Sequence, residues 1–366
     1  MHDELLQHLA TIISFPTTKS EEKQKCLQWI EREFLSDSGL PVTRGDVEGA
    51  PYLYVRHPSP KLLWFAHVDV VPGRPDQFDL RIDGDTAFGR GVKDMKGAAL
   101  VFLIAYRDAC RSGYVPPVSI LLTSDEETGG HSPPALLDHG LFPGVPVAFT
   151  PDTGANPHIV TELKGEVWAT LIAEGSAGHG ALSWECDNPV WRLTEALSMI
   201  RSAFPPGTSE DWQMTVTPTQ LHGSDALNRI PAEAACTLDI RFPPELCATP
   251  VAALSIVREH LPAHCRLETI VTADSMRIDP LHPMVQLVHR LAEETTGEKV
   301  GIGREHGSSD ARSFAVRGIP AFLFGPKGGD LHGEAEWVSV SSLHQHIRFN
   351  QRLLQELNGH DPQKRG

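Results

Sequence analysis

The segment that most constrains the fold is a short apolar run at residues 62–66, which is followed by a histidine and an aspartate. Its sequence, Leu-Leu-Trp-Phe-Ala, is typical of a buried parallel strand, and His67, Val68 and Asp69 follow it. Residues i and i+2 of a strand point to the same side, so His67 and Asp69 can act together. An imidazole is a metal ligand whose tautomer a neighbouring carboxylate can fix, whereas a lone histidine satisfied at a strand end is the simpler alternative.

This pattern of an apolar strand followed by acidic or histidine side chains recurs after residues 118–123, 147–150 and 319–324. A further carboxylate precedes a buried helix predicted at 98–109. Ligands of open α/β sheets bind beyond the carboxyl ends of the strands. An acidic turn on a solvated surface is the alternative for any one segment. We expect the following residues to converge with His67: Asp94, Glu126, Glu127, Asp152 and, as one more ligand, His332.

Helices and strands alternate in the first part of the chain, which indicates an α/β fold with a mostly parallel sheet covered by helices. The predicted strands lie near 52–56, 61–66 and 118–123, and the predicted helices near 21–35 and 94–112.

The pattern changes at about Lys164, where the order of elements becomes β-α-β-β-α-β. This order predicts a compact α+β, ferredoxin-like sheet with two helices. At 366 residues the chain is also long for a single core. We therefore predict one domain formed by 1–163 and 273–366, with 164–272 inserted as a second domain.

The composition excludes several classes of function. The formal net charge is −15 and no run is rich in lysine or arginine, so no nucleic-acid partner is expected. No apolar run reaches the roughly 18–20 residues that cross a bilayer, and the N-terminus lacks a signal-peptide pattern. The six cysteines include no Cys-x-x-Cys pair, as expected of free thiols. We expect a cytoplasmic protein without a membrane partner.

Several ordered motifs run through nearly the whole chain: His67-Val68-Asp69, Gly89-Arg90-Gly91 with Asp94-Met95-Lys96-Gly97, Asp125-Glu126-Glu127, Gly178-His179, Asn228 with Ile230-Pro231, Gly307-Ser308-Ser309-Asp310-Ala311-Arg312, and His332. Together they resemble the M20 family of metal-dependent peptidases and deacylases, which contains desuccinylases, deacetylases and dipeptidases. The resemblance implies a zinc-exopeptidase-like catalytic domain and an inserted domain that mediates dimerisation.

The resemblance also implies a dinuclear metal site. In it, His67 and Asp152 each bind one metal, Asp94 bridges, and Glu127 and His332 complete the shell of the second metal. Histidine and carboxylate ligands without cysteine suit zinc, two ions per subunit, with Co²⁺ or Mn²⁺ as substitutes.

The resemblance assigns three further residues to catalysis. Asp69 orients His67, Glu126 is the general base, and His179 is lent to the active site of the partner subunit in a homodimer. Two metals roughly 3.5–4 Å apart can share a water and lower its pKa. Glu126 then takes the proton of that water and passes it to the leaving amine, while His179 meets the charge on the carbonyl oxygen.

Substrate recognition is expected to depend on a free carboxylate. Arg312 matches a family substrate position, and a guanidinium binds a carboxylate bidentately. Arg241 lies on a predicted strand and is a second candidate, with a structural role as the alternative. Asn228, Ser308 and Ser309 complete the predicted substrate-binding residues.

We expect a homodimeric hydrolase that cleaves the amide bond of a small-molecule N-acyl amino acid or of a short peptide. Asp152 stands where resembling deacylases usually carry glutamate, and Ser308 and Ala311 depart from the Gly-Thr-Ser-Asp-Gly form of the desuccinylases. An aminopeptidase or dipeptidase that requires a free amino terminus is therefore the alternative. A catalytically inactive peptide-binding protein is a remote one, because the full set of ligands is present. Histidines outside the motifs are interpreted as surface or capping residues, namely His57, His139, His282, His344 and His346.

Overall fold

The structure is a computed structural model that describes residues 2–155, 157–224 and 226–359. The helices are α1 (His2–Ile13), α2 (Ser20–Ile30), α3 (Lys96–Arg111), α4 (Ser132–Asp138), α5 (Pro189–Ala203), α6 (Pro250–Arg258), α7 (Pro283–Thr296), α8 (Ala311–Ala315) and α9 (Val340–Leu357). The strands are β1 (Val42–Val47), β2 (Ala50–Val55), β3 (Leu62–His67), β4 (Arg81–Asp83), β5 (Thr86–Phe88), β6 (Val118–Thr123), β7 (Ala148–Thr150), β8 (Ile159–Leu163), β9 (Gly165–Glu174), β10 (Gly178–His179), β11 (Thr215–His222), β12 (Arg229–Ile230), β13 (Glu233–Phe242), β14 (Cys265–Ala273), β15 (Met276–Arg277), β16 (Ile302–Glu305), β17 (Ala321–Leu323), β18 (Gly328–Gly329) and β19 (Trp337–Ser339).

The chain divides into two compact units. The first contains the described residues up to 162, residues 277–305 and residues from 309 onward, and the second contains residues 163–276 and 306–308. That residues 164–272 form a separate domain with a role in dimerisation stays a prediction.

The first unit is organised around a sheet in which the strands follow the order β1-β2-β6-β3-β7-β17-β8. The four central strands, β6, β3, β7 and β17, run parallel to one another. The flanking strands β1, β2 and β8 pair antiparallel. The predicted α/β class with a mostly parallel central sheet is confirmed.

The apolar sequences of the central strands are explained by burial on both faces of the sheet. All six residues of β3 are buried, as are all six of β6. Helix α3 packs against this layer, with Phe102 stacked on Trp64 at 4.1 Å between ring centroids. The sheet is therefore a fully buried base for the residues that follow its strands.

The second unit contains a four-stranded antiparallel sheet of order β11-β13-β9-β14, and α5 and α6 share a hydrophobic core with it. Along the chain these elements follow one another as β9, α5, β11, β13, α6 and β14, so the predicted β-α-β-β-α-β order is confirmed. Alternate residues of β13 are buried, from Ala234 to Phe242, as expected of a strand with one covered face.

Two histidines outside the motifs differ in their surroundings. His282 caps the start of α7, where its Nδ1 accepts a hydrogen bond from the Met284 N–H at 3.2 Å, as interpreted from the sequence. His346 is only 3% exposed, so its interpretation as a surface or capping residue is wrong. It lies in the middle of α9 and faces the rings of Phe324 and Phe349.

None of the helices in the part of the chain that the structure describes is both long and apolar enough to cross a bilayer.

Candidate metal centre

The polar residues that follow the central strands lie at one edge of the sheet. Strands β3 and β6 end side by side, with His67 paired in register with Thr123. Strand β7 borders β3 on its other side and ends at Thr150, two residues before Asp152. The carboxyl ends of three adjacent parallel strands therefore deliver His67, the acidic turn after β6, and Asp152 to the same place.

A first group of metal-ligating side chains is formed by His67, Asp94 and Asp152. Each offers one ligand atom, and these atoms lie within 4.8 Å of one another. Nε2 of His67 is 3.2 Å from Oδ1 of Asp94. This Nε2 atom is buried but has no hydrogen-bond partner of acceptable geometry among the described residues. Such an arrangement is that of two donor atoms aimed at a common cation.

A second group is formed by Asp94, Glu127 and His332, again with ligand atoms within 4.8 Å of one another. Nε2 of His332 lies 3.1 Å from Oδ2 of Asp94 and 3.0 Å from Oε2 of Glu127. Asp94 thus directs one oxygen to each group. A carboxylate shared in this way can bridge two cations.

The donor set fits divalent zinc, cobalt or manganese, because it contains two imidazoles and three carboxylates and no thiolate. Glu127 also has a buried Oε1 atom for which the described residues supply no hydrogen-bond partner. A cation in the second group would satisfy this oxygen, and a cation in the first group would satisfy Nε2 of His67.

Asp69 connects the first histidine to the acidic turn. Its carboxylate accepts hydrogen bonds from the N–H groups of Glu126 and Glu127, at 3.3 and 3.1 Å. Its Oδ1 lies 3.4 Å from Nδ1 of His67, and its carbonyl oxygen lies 3.1 Å from the same nitrogen. With both neighbours accepting, Nδ1 carries the proton and Nε2 is left as the ligand atom.

The charges of the two groups shift one another's pKa values. Without a metal, burial lowers the pKa of His67, but the carboxylates of Asp69 and Asp94 outweigh it and raise the pKa well above its usual value, so that Nε2 also holds a proton until a metal displaces it. Hydrogen bonds to Asp94 and Glu127 raise the pKa of His332 to about 10. Burial raises the pKa of Asp94, yet the two imidazoles hold it far below its usual range. The carboxylates therefore require positive charge beside them, and a metal that supplies it must displace protons from the imidazoles.

Glu126 lies beside these groups without belonging to either. Burial raises its pKa well above the usual value. His67 lowers this pKa, whereas the carboxylates of Asp152, Asp310 and Asp94 raise it further. Burial likewise raises the pKa of Asp152 to about 6. A carboxylate with a raised pKa is a stronger proton acceptor, which is the property that a general base needs.

The Ser-Ser-Asp-Ala-Arg motif begins where the chain returns to the first unit. Ser309 is buried, and a hydrogen bond between its side chain and Asp152 partly offsets the rise in the pKa of that carboxyl. Nη2 of Arg312 donates to the carbonyl of Gly129 at 3.3 Å, next to the acidic turn. Ser308 belongs to the second unit. Ser309 thus lies against a candidate ligand.

The remaining predicted residues lie in the second unit. The short strands β10 and β12 pair His179 with Arg229, and the Gly180 N–H donates to the carbonyl of Asn228 at 2.8 Å. His179 and Asn228 are therefore neighbours, and both are exposed.

Arg241 lies on β13, directly opposite Glu166 of β9, in the second unit. It makes ion pairs with Glu166 at 2.5 Å and with Asp239 at 2.7 Å. These contacts supply the structural role that the sequence left open as its alternative.

Two buried residues near Asp94 were not identified from the sequence. The carboxylate of Glu336 accepts hydrogen bonds from the N–H groups of Gly91, Lys93 and Asp94, at 2.9, 2.9 and 3.0 Å. It also accepts from Nη1 of Arg90 at 2.9 Å. Lys93 is itself fully buried. No spacing rule links Glu336 to a loop more than 240 residues earlier, so only the fold identifies it.

This fold and this donor set define the class of the protein, which is an α/β protein with candidate metal ligands at the carboxyl ends of its central strands. The profile described as Peptidase family M20/M25/M40 matches residues 63–356. The chain therefore belongs to this family and is a metal-dependent hydrolase.

Relatives and solved structures agree with the family. A succinyl-diaminopimelate desuccinylase of Gluconobacter oxydans is 30% identical over 329 residues, which cover 83% of this chain and 84% of the relative. One of Acidiphilium cryptum is 31% identical over 315 residues, or 81% and 83% of the two chains. The aminopeptidase PepT of Bacillus cereus has a TM-score of 0.80 at 16% identity, over 98% and 99% of the chains. An M20 family metallo-carboxypeptidase of Sulfolobus solfataricus has a TM-score of 0.80 at 16% identity, over 97% and 99%.

Proposed function

We propose that the protein is a dinuclear zinc hydrolase that cleaves the amide bond of an N-acyl amino acid, or of a short peptide, with a free carboxylate. The observation that carries this proposal is the division of Asp94 between two ligand groups, with Glu126 beside them. The desuccinylase relatives at about 30% identity favour an N-acyl amino acid as the substrate.

The proposed ligands are His67 and Asp152 for one metal and Glu127 and His332 for the other, with Asp94 as the bridge. A metal pair held there supplies Lewis acidity, which polarises the scissile carbonyl and lowers the pKa of a water molecule. Cobalt or manganese would fit the same donors.

Proton transfer is assigned to Glu126. Its buried carboxylate lies beside the candidate ligands without joining either group, so it is placed to accept a proton of the attacking water and to hand that proton to the leaving amine. Asp69 fixes the tautomer of His67 and, through its two backbone hydrogen bonds, the position of the turn that carries Glu126. We assign His179 to the carbonyl oxygen in the partner subunit's site.

The free carboxylate of the substrate is assigned to Arg312, whose guanidinium can bind it bidentately. Asn228, Ser308 and Ser309 are proposed as further contacts to substrate. Arg241 remains a candidate, although Glu166 and Asp239 already compete for its guanidinium.

Dimerisation is proposed through the second unit. Most of the large apolar side chains that are exposed belong to it, and Trp184 and Trp191 are 77% and 70% exposed. Val190, Trp191 and Leu227 line a common hollow of about 410 Å³. Strand β11 is also at an edge of its sheet.

We further propose a cytoplasmic location, since all six cysteines are free.

A peptidase that requires a free amino terminus is the second candidate, and the shorter side chain of Asp152 favours it. The deciding experiment is hydrolysis by zinc-loaded protein of one amino acid presented as its N-succinyl derivative, its N-acetyl derivative and an unblocked dipeptide. Faster cleavage of the blocked substrates is expected. Faster cleavage of the dipeptide would establish the second candidate, and cleavage of none of them would contradict the proposed function.

A further inference from the structure

Lys93 is a buried lysine, 1% exposed, that directly precedes the bridging candidate Asp94. Its Nζ donates to the carbonyl oxygen of Thr153 and, at 3.2 Å, to the Oγ1 of the same residue. Thr153 directly follows Asp152. One ammonium group thus joins the two loops that carry the two carboxylates of the first ligand group.

The surroundings of Lys93 are strongly acidic. Burial lowers the pKa of Lys93, and four carboxylates, those of Asp94, Asp152, Glu305 and Glu336, oppose that effect by attracting its charge. Buried charges are tolerated where opposite charges and hydrogen bonds compensate them. The lysine and a metal ion would therefore compensate the same carboxylates of Asp94 and Asp152.

We propose that Lys93 is an internal counter-cation that holds the Asp94 and Asp152 loops together and lowers the affinity of the site for its metal. The inference rests on the proposed metal-binding function. An ammonium group attracts the ligand carboxylates most strongly when no divalent cation is bound to them, and it repels such a cation when one binds. Lys93 therefore stabilises the protein more without metal than with it.

A purely structural lysine would behave differently. It would contribute the same stability to both forms, and its removal would leave metal affinity unchanged. Lys164 offers a matched control, because it is also 1% exposed and its Nζ donates to a backbone carbonyl, that of Gln213, at 2.5 Å. It belongs to the second unit, whereas every candidate ligand belongs to the first.

The test compares Lys93→Met and Lys164→Met with the unmodified protein. Zinc affinity is measured by competition with a chromophoric chelator, and Tm is measured in EDTA and in saturating zinc. Lys93→Met is expected to bind zinc about tenfold more tightly. Its Tm in EDTA should fall further than its Tm in zinc. Lys164→Met is expected to lower both Tm values equally at unchanged zinc affinity.

The outcomes separate this inference from the proposed function. If the unmodified protein binds zinc while Lys93→Met binds it equally well or more weakly, the role of Lys93 as a counter-cation is wrong. If the unmodified protein binds neither zinc nor cobalt, the proposed metal centre is wrong and this inference falls with it.

Lys93→Gln keeps a donor without the charge and should also bind zinc more tightly. Where Lys93→Met does not fold, the zinc affinity of Lys93→Gln decides in the same way.

Discussion

Glu126 and Glu127 are adjacent residues for which we propose different roles, a general base and a metal ligand. Glu127 directs Oε2 toward His332 within a ligand group, while Glu126 lies outside both groups with a raised pKa. We predict that Glu126→Gln keeps the metal content and lowers kcat by about 10²–10⁴-fold, because a proton acceptor is lost. Glu127→Gln should instead lose metal. Metal analysis and steady-state kinetics on both variants check this pair, and an active Glu126→Gln would show that the base lies elsewhere.

His346 makes stability depend on pH through its burial. Burial lowers its pKa to about 4, against 6.5 for an unperturbed histidine. The unfolded chain binds this proton below pH 6.5 and the folded chain does so only near pH 4, so the free energy of unfolding falls as the pH falls through this window. The loss from this residue amounts to about 3 kcal/mol at pH 4.

His346→Gln should remove that contribution. Chemical denaturation in EDTA would then show a difference between the unmodified protein and the variant that is constant above pH 8 and moves in favour of the variant toward pH 4. Two curves that stay parallel from pH 8 to pH 4 would contradict the prediction.

At the scale of residues, the sequence identified the polar side chains that come directly after an apolar strand. His67 and Asp152 follow short apolar runs that are typical of buried strands, so the sequence indicates that both residues lie at strand ends. His346 was misjudged because helical periodicity tells which residues share a face, and not which polar residue on that face will be covered. Lys93 was missed for a different reason: it lies in the loop before α3, where no periodicity indicates which side chains are buried.

At the scale of elements, the loop between β5 and α3 owes its shape to Glu336. Its carboxylate accepts three backbone N–H groups of this loop, one of them from Asp94 itself. Gly91 permits the turn, since its φ is +85° and a Cβ atom there would lie 2.7 Å from Cε of Lys96. The bridging candidate is therefore positioned by a residue from the other end of the chain.

We predict that Glu336→Gln weakens zinc binding by about 10- to 100-fold, as is usual for groups that orient a metal ligand. The amide nitrogen would face donors, which costs about 1–3 kcal/mol of stability. Glu334→Gln is the control, because this nearby glutamate is 89% exposed. Chelator competition and thermal unfolding measure both effects. Equal zinc affinities in the two variants would remove Glu336 from the support of the site.

The strands and the long helices were predictable from the sequence because a buried strand or helix needs apolar residues, either in an unbroken run or at a regular spacing. The loops that complete the site were not. Their shapes depend on contacts such as that of Arg90 with Glu336, for which no local signal exists. The glycines of the Gly89-Arg90-Gly91 motif indicated a tight turn, but what the turn closes around is decided by the fold.

At the scale of the whole molecule, the proposed dimer depends on the apolar surface of the second unit. Trp191 lies in the first turn of α5 and lines the same hollow as Leu227. Both side chains are exposed in the single chain. Exposed apolar patches of this kind mark interaction surfaces. Since His179 belongs to the same unit and is proposed to serve the partner's site, assembly and activity should be lost together.

We predict that the double substitution Trp191→Glu with Leu227→Glu yields a monomer, because two charges cannot be buried in an apolar contact without compensation. Its zinc content should stay unchanged, since all candidate ligands lie in the first unit, while its kcat falls toward that of His179→Ala. Val251→Glu is the control, because Val251 is 71% exposed on the other helix of the second unit. Sedimentation velocity gives the oligomeric state. A fully active monomer would show that His179 acts within its own chain or not at all, and a dimer that survives the double substitution would place the contact elsewhere on the chain.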